Sequence, residues 1–258
     1  MTRPLRFFLG GQDLEMATIA DLVRTELGEA ALADKRLPWG ARAEAYAPEI
    51  SAWRAQGGTA VLVELPAEDP PAADLIMVDH HGDRAAEPSA LRQVFDLLGL
   101  PPERWTRHFA LVEANDVGHV AAMRALGASE VEMKAIRAAD RAAQGVTAAE
   151  EDSGRAALAA ARATLGGRLL VVTLPHGRSA TVMDPLALGL DDATRDVLLL
   201  TPSGPQFFGD GRAVAALNRA FPGGWRGGSL PQRGFWGVGR VLPEPDLLAA
   251  LEPALGGR

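Results

Sequence analysis

Short apolar runs alternate along this chain with segments whose apolar residues recur at helical spacing. Leu5–Leu9 reads as a first strand, and Gly10-Gly11 relaxes the backbone for a strand-to-helix turn. Ile19, Leu22, Val23 and Leu27 then share one helical stripe that stops at Gly28. Residues 48–56 read as a short helix that leaves through Gly57-Gly58, and 59–65 (TAVLVEL) as a strong strand. A turn-rich connection over 66–73 leads to the next strand at 74–79. Near-continuous apolar strands separated by helices predict an α/β lobe, a mostly parallel sheet with helices on both faces.

Further on, 89–98 is an amphipathic helix with Leu91, Val94, Phe95 and Leu98 on one stripe, ended by Gly99 and Pro101-Pro102. A second helix over 102–114 runs into Asn115-Asp116-Val117-Gly118-His119. Residues 129–165 are helical, alanine-rich and charged, interrupted at Gln144-Gly145-Val146, with Thr147 and Glu150 forming a capping box. We read this as a connector. Strands are expected at 168–174, 180–183, 196–201 and 206–208, a helix at 212–221, a glycine-dense segment at 223–239 and a last helix at 245–255. The expected organisation is an N-terminal lobe over 1–128, a helical connector over 129–165 and a smaller α/β lobe over 166–258.

Composition narrows the function classes. The 258 residues are 47% hydrophobic, enough for a substantial core, and carry a formal net charge of -7. That balance opposes non-specific binding to duplex DNA, which needs a broad basic face. With no cysteine there are no disulfides and no thiolate metal sites. No apolar stretch approaches the roughly 20 residues of a membrane span, and the N-terminal apolar run is too short for a signal peptide. A cytoplasmic protein is expected.

The candidate chemistry centres on Asp79-His80-His81, where the strand over 74–79 stops. Ligands of open α/β sheets bind at the carboxyl edge of the strands. An acid and two imidazoles placed there suit manganese, iron or zinc, although a polar turn would look the same. Asp13 and Glu15 stand where strand one gives way to helix one, where acids also favour the positive end of a helix. Glu64 ends a buried strand, and Asp116 marks another element boundary. In the C-terminal part, Gly227, Gly228 and Arg233 could cradle a phosphate or form a loop and edge strand. Arg178, in Pro-His-Gly-Arg-Ser, is a further phosphate contact or a solvated turn residue. The five tryptophans are expected in the core or as surface anchors.

Taken in order, these motifs resemble the DHH phosphoesterase superfamily, over nearly the whole chain. Asp79-His80-His81 carries the resemblance most specifically. The resemblance implies an N-terminal DHH lobe and a C-terminal DHHA1-like lobe. It implies a metal set of Asp13, Glu15, Glu64, Asp79, His80 and Asp116 holding one or two divalent ions, Mn2+ by preference. Asp79 and His81 would be catalytic, with His81 also facing the phosphate together with Arg178, Gly227, Gly228 and Arg233. The implied activity is hydrolysis of a phosphomonoester or phosphodiester in a small nucleotide or short oligonucleotide. A degenerate member that binds a phosphorylated ligand or partner without cleaving it is the alternative. The chain departs from the family pattern where Leu9 stands at the first motif's His, where Glu15 stands in for that motif's second Asp, and where Gly227-Gly228-Ser229-Leu230 lacks the His of the family's Gly-Gly-Gly-His. Homodimerisation is left open.

Overall fold

Four strands, β1 (Leu5–Leu9), β2 (Leu32–Ala33), β3 (Thr59–Val63) and β4 (Leu75–Val78), form a parallel sheet in the order β2-β1-β3-β4. All five residues of β3 are buried, as expected of a strand flanked on both sides and covered on both faces. Side chains alternate across the sheet. Phe8 and Leu62 pack on one face with Tyr46 and Ile50, the latter from α2 (Ala47–Ala55). Phe7, Leu9, Val61 and Val63 alternate with them and are equally buried. The structure is a computed structural model that describes residues 3–67, 72–189 and 195–256.

Helix α1 (Leu14–Leu27) packs against α3 (Ala90–Leu97), α4 (Arg107–Ala125) and α5 (Glu130–Ala143). Together these elements make one compact unit, residues 1–145; residues 146–258 make a second. Within the segment read as a connector, α5 belongs to the first unit, and α6 (Ala148–Ala159) begins the second.

The second unit carries six strands in the order β5-β6-β7-β8-β10-β9. They are β5 (Arg162–Thr164), β6 (Leu169–Thr173), β7 (Asp196–Thr201), β8 (Gly204–Asp210), β9 (Trp225–Gly227) and β10 (Arg233–Gly237). Of these, β6 and β7 pair in parallel and the other neighbours antiparallel. Apolar residues are buried on both faces. Val172, Val197 and Leu199 pack with Val182 on one, and Leu198 and Phe207 with Leu217 and Leu251 on the other. The last two come from α8 (Gly211–Ala220) and α9 (Glu244–Leu255).

Two expectations are corrected. Residues 180–183 are not a strand but the start of α7 (Ala180–Leu188). The β-branched pair Thr181-Val182 has strand character, yet the run packs as a helix on α6. Gly154 makes room for it, since a Cβ there would lie 2.5 Å from Thr181 Cβ. The helix expected over 102–114 starts later, at Arg107 behind the N-cap Thr106, and continues past Asn115-Asp116 to a kink at Gly118-His119. In the glycine-dense segment the loop-and-edge-strand reading holds, with β9 and β10 paired at the sheet's edge.

Candidate metal centre

Register brings the acids together. Leu9, Val63 and Val78 lie side by side across β1, β3 and β4. The next residues, Gly10, Glu64 and Asp79, therefore leave the sheet in line at its carboxyl edge. Gly10 permits a close approach, since a Cβ there would sit 2.6 Å from the Glu64 carbonyl oxygen. Glu64 itself takes φ 50, a conformation that L side chains adopt only at a cost of about 1–2 kcal/mol. Its N–H still donates to the Val78 carbonyl at 2.8 Å, so the strand pairing runs one residue beyond the turn of the chain.

His80 is the hub. Its Nε2 lies 2.9 Å from Asp116 Oδ2, 3.1 Å from Glu64 Oε1 and 3.8 Å from Glu15 Oε2. One donor atom from each of Glu15, Glu64, His80 and Asp116 falls within 4.8 Å of the others, and Glu64, His80 and His81 form an overlapping group. None of these four atoms has a partner aligned for a hydrogen bond, although all are buried. Buried polar atoms are nearly always hydrogen-bonded, and each orphan needs an explanation. Three carboxylate oxygens and an imidazole nitrogen converging on one point fit the hard oxygen and imidazole ligands of a divalent ion.

Electrostatics supports the same fit. Burial works against a charged His80 ring, but the Asp116 and Glu64 carboxylates outweigh it and push its pKa up to about 10. Burial raises Glu15 well above the usual carboxylate range, and Asp116 and Glu64 add to this. Burial likewise pushes Asp13 up to about 7; the bond from Met16 N–H opposes it, and Glu64, Asp116 and Asp140 reinforce it. Clustered acids that hold protons against such repulsion will exchange them for a cation.

The remaining residues stand around this group. Asp13 is the N-cap of α1, its Oδ1 accepting from Met16 N–H at 2.8 Å. Asp79 Oδ1 accepts from His81 N–H at 3.0 Å and lies 3.1 Å from His81 Nδ1. Neither Asp13 nor Asp79 belongs to the tight donor groups. His81 is half-exposed, its Nδ1 3.7 Å from Glu64 Oε1. Leu9, at the expected His position, is buried in the core.

Arg178, Gly227, Gly228 and Arg233 belong to the second unit, where each has local work. Arg178 Nε is 3.6 Å from Glu150 Oε1. Arg233 donates to the Arg195 carbonyl at 3.0 Å. Gly227 lies under the Phe235 ring, and Gly228 (φ 92) lets Gly234 come close.

Sequence reasoning missed a buried network behind the donors. Arg137 Nη1 donates to Asn115 Oδ1 at 2.8 Å and to Asp140 Oδ2 at 2.7 Å. Asp140 Oδ1 in turn accepts from Leu14 N–H at 3.1 Å. Asn115 neighbours Asp116, and Leu14 lies between Asp13 and Glu15, so α5 ties down the backbone that presents three acids. On Glu15, Oε1 accepts from Leu91 N–H at 2.8 Å, leaving Oε2 for the centre. The detectable signal is an Arg and an Asp three apart on the apolar stripe Met133, Ile136 of α5.

No protein-family model matches the chain, and no curated protein matches it in sequence. Among solved structures it is similar in fold to RecJ. RecJ from Thermus thermophilus in complex with Mn2+ aligns at 16% identity and TM-score 0.46, over 97% of this chain and 52% of that one. The same protein with Mg2+ aligns at 17% and 0.48, over 97% and 49%. Exonuclease RecJ bound to manganese aligns at 16% and 0.47, over 97% and 90%. The chain thus spans about half the length of the Thermus chains. Among the described residues, no helix is long and apolar enough to cross a membrane.

Proposed function

We propose that the first unit is a divalent-metal phosphoesterase site, Mn2+ being the preferred ion, acting on a phosphomonoester or phosphodiester of a small nucleotide or short oligonucleotide. The observation that carries this reading is the convergence of Glu15, Glu64, His80 and Asp116 on one point without aligned hydrogen bonds. A cation held there would supply Lewis acidity toward water and the phosphoryl oxygens. Asp79 fixes the His81 ring through Nδ1, which leaves Nε2 to meet a phosphoryl oxygen, as a donor once the ring is protonated. Asp13, the N-cap of α1 and close enough to Glu64 and Asp116 to feel their charge, is a further carboxylate that a bound cation would deprotonate and hold. Asn115, Arg137 and Asp140 keep Asp13, Glu15 and Asp116 in place.

A second reading, binding without hydrolysis, draws on the buried Leu9, which removes one imidazole from the family's ligand set. One assay separates the two. Purified protein with Mn2+ is offered pAp, short RNA, a cyclic dinucleotide and pyrophosphate. Turnover of at least one, abolished in Asp116→Asn, supports the phosphoesterase. Binding of one of these without product on long incubation supports the second reading.

A further inference from the structure

Tryptophan is costly to leave in water, yet Trp39 is 81% exposed. Its side chain is exposed although its backbone is held firmly. Residues 37–41 lie against the exit of β1 through a parallel bridge between Gly11 and Leu37, and Gln12 N–H donates to the Leu37 carbonyl at 2.8 Å. Gly11 is pressed so closely on this segment that a Cβ would lie 2.7 Å from Trp39 Cα. Gly40 then turns the chain away at φ 80. An indole on a fixed backbone, left without a covering side chain, is a surface prepared for something to lie on.

What lies beside it is the metal centre. Trp39 shares a cavity of about 200 Å³ with Glu64, Asp79 and His81. The rest of the lining, including Gly11, Gly40 and Ala41, carries no side-chain hydrogen-bonding group. Such a slot offers a ring face and small apolar walls, its other polar side chains being Glu64, Asp79 and His81. We propose that Trp39 is the platform on which the substrate's nucleobase stacks while its phosphate lies against Glu64, His80 and His81. The proposal rests on the phosphoesterase reading above and adds the group that the site selects: a planar heteroaromatic ring next to the phosphate, accepted through its face. Stacking on an aromatic side chain tolerates any base, because every base has a π-face.

The test uses the full chain saturated with Mn2+ and follows binding by calorimetry with three probes: AMP, CMP and ribose 5-phosphate. The wild type should bind both nucleotides at least about tenfold more tightly than the base-free sugar phosphate, the scale of one stacked base. Trp39→Ala should erase that preference, and Trp39→Phe should keep most of it. The side chain is exposed, so all three proteins should melt alike. Equal binding of AMP and ribose 5-phosphate by the wild type, or an undiminished preference in Trp39→Ala, would overturn the proposal while leaving the metal centre intact. Absence of Mn2+ binding by the wild type would instead remove the phosphoesterase reading, and this inference with it.

Discussion

At the scale of single residues, Glu64 concentrates the conflict between stability and chemistry. Its positive φ is unfavourable for any side chain with a Cβ, and its carboxylate sits in a crowd of like charges. Strain of this kind persists where the surroundings over-determine it, often at functional sites. Glu64→Gly should therefore leave the metal-free protein as stable as the wild type or up to about 1 kcal/mol more stable. It should also weaken Mn2+ binding at least tenfold, as measured by denaturant titration and metal titration of the same samples. The raised pKa values have a linked consequence. Asp13 and Glu15 hold protons when folded that they would release unfolded above pH 4, and His80 does so between its ordinary 6.5 and about 10. A native state that binds more protons than the unfolded state loses stability as pH rises. The raised acids lower stability from about pH 4 upward. The His80 contribution is fully present below pH 6.5 and gone above 10. The metal-free melting temperature should fall steadily from pH 5 to pH 9, and saturating Mn2+ should flatten that fall. An apo protein that grows more stable with pH would contradict the proton count. These residues are readable in the sequence as types and positions. Which of them touch is not, because Asp13 and Asp79 look equivalent to Glu15 and His80 until side-chain direction is known.

At the scale of elements, the site is a product of strand register and helix ends. The strand ends are legible because a buried parallel strand needs an apolar residue at almost every position, so Glu64 and Asp79 stand out as its limits. Asp116 is legible as a boundary for a different reason than the structure gives it. It lies inside α4, shortly before a kink at Gly118-His119, where the sequence suggests a turn. The role of α5 shows in the sequence only as Arg137 and Asp140 falling on the Met133, Ile136 stripe. An alanine-rich charged helix looks solvated, and only packing reveals that Arg137 and Asp140 are both under 5% exposed. Removing one member of a buried ion pair leaves the other uncompensated, at about 3–5 kcal/mol. Arg137→Met should cost about that much in chemical denaturation, since it leaves Asp140 charged and Asn115 without its donor. It should also reduce Mn2+ affinity roughly 10–100-fold, as loss of an outer partner of metal ligands does. Loss of stability with unchanged affinity would make the network a purely structural clamp.

At the scale of the whole molecule, the two units differ in charge and in what they offer. Residues 146–258 carry 11 acidic and 11 basic side chains, so the entire excess of seven negative charges falls within residues 1–145. An acidic unit draws cations toward its surface. Where one unit ends and the next begins is hidden in the sequence, because the capping boxes at Ser129 and Thr147 start two similar helices that join different cores. The aromatic residues show the same limit. Trp236 is buried with residues of α8 and α9, whereas Trp39 faces solvent, and the pattern around each suggests no such difference. A phosphoesterase site requires that the four converging atoms hold an ion. Equilibrium titration with Mn2+, counted per chain, tests this in the wild type and in His80→Ala and Asp116→Asn. At least one ion per wild-type chain, with affinity lost at least tenfold in both variants, is the predicted result; a wild type that binds none, or variants that bind as tightly, would contradict it.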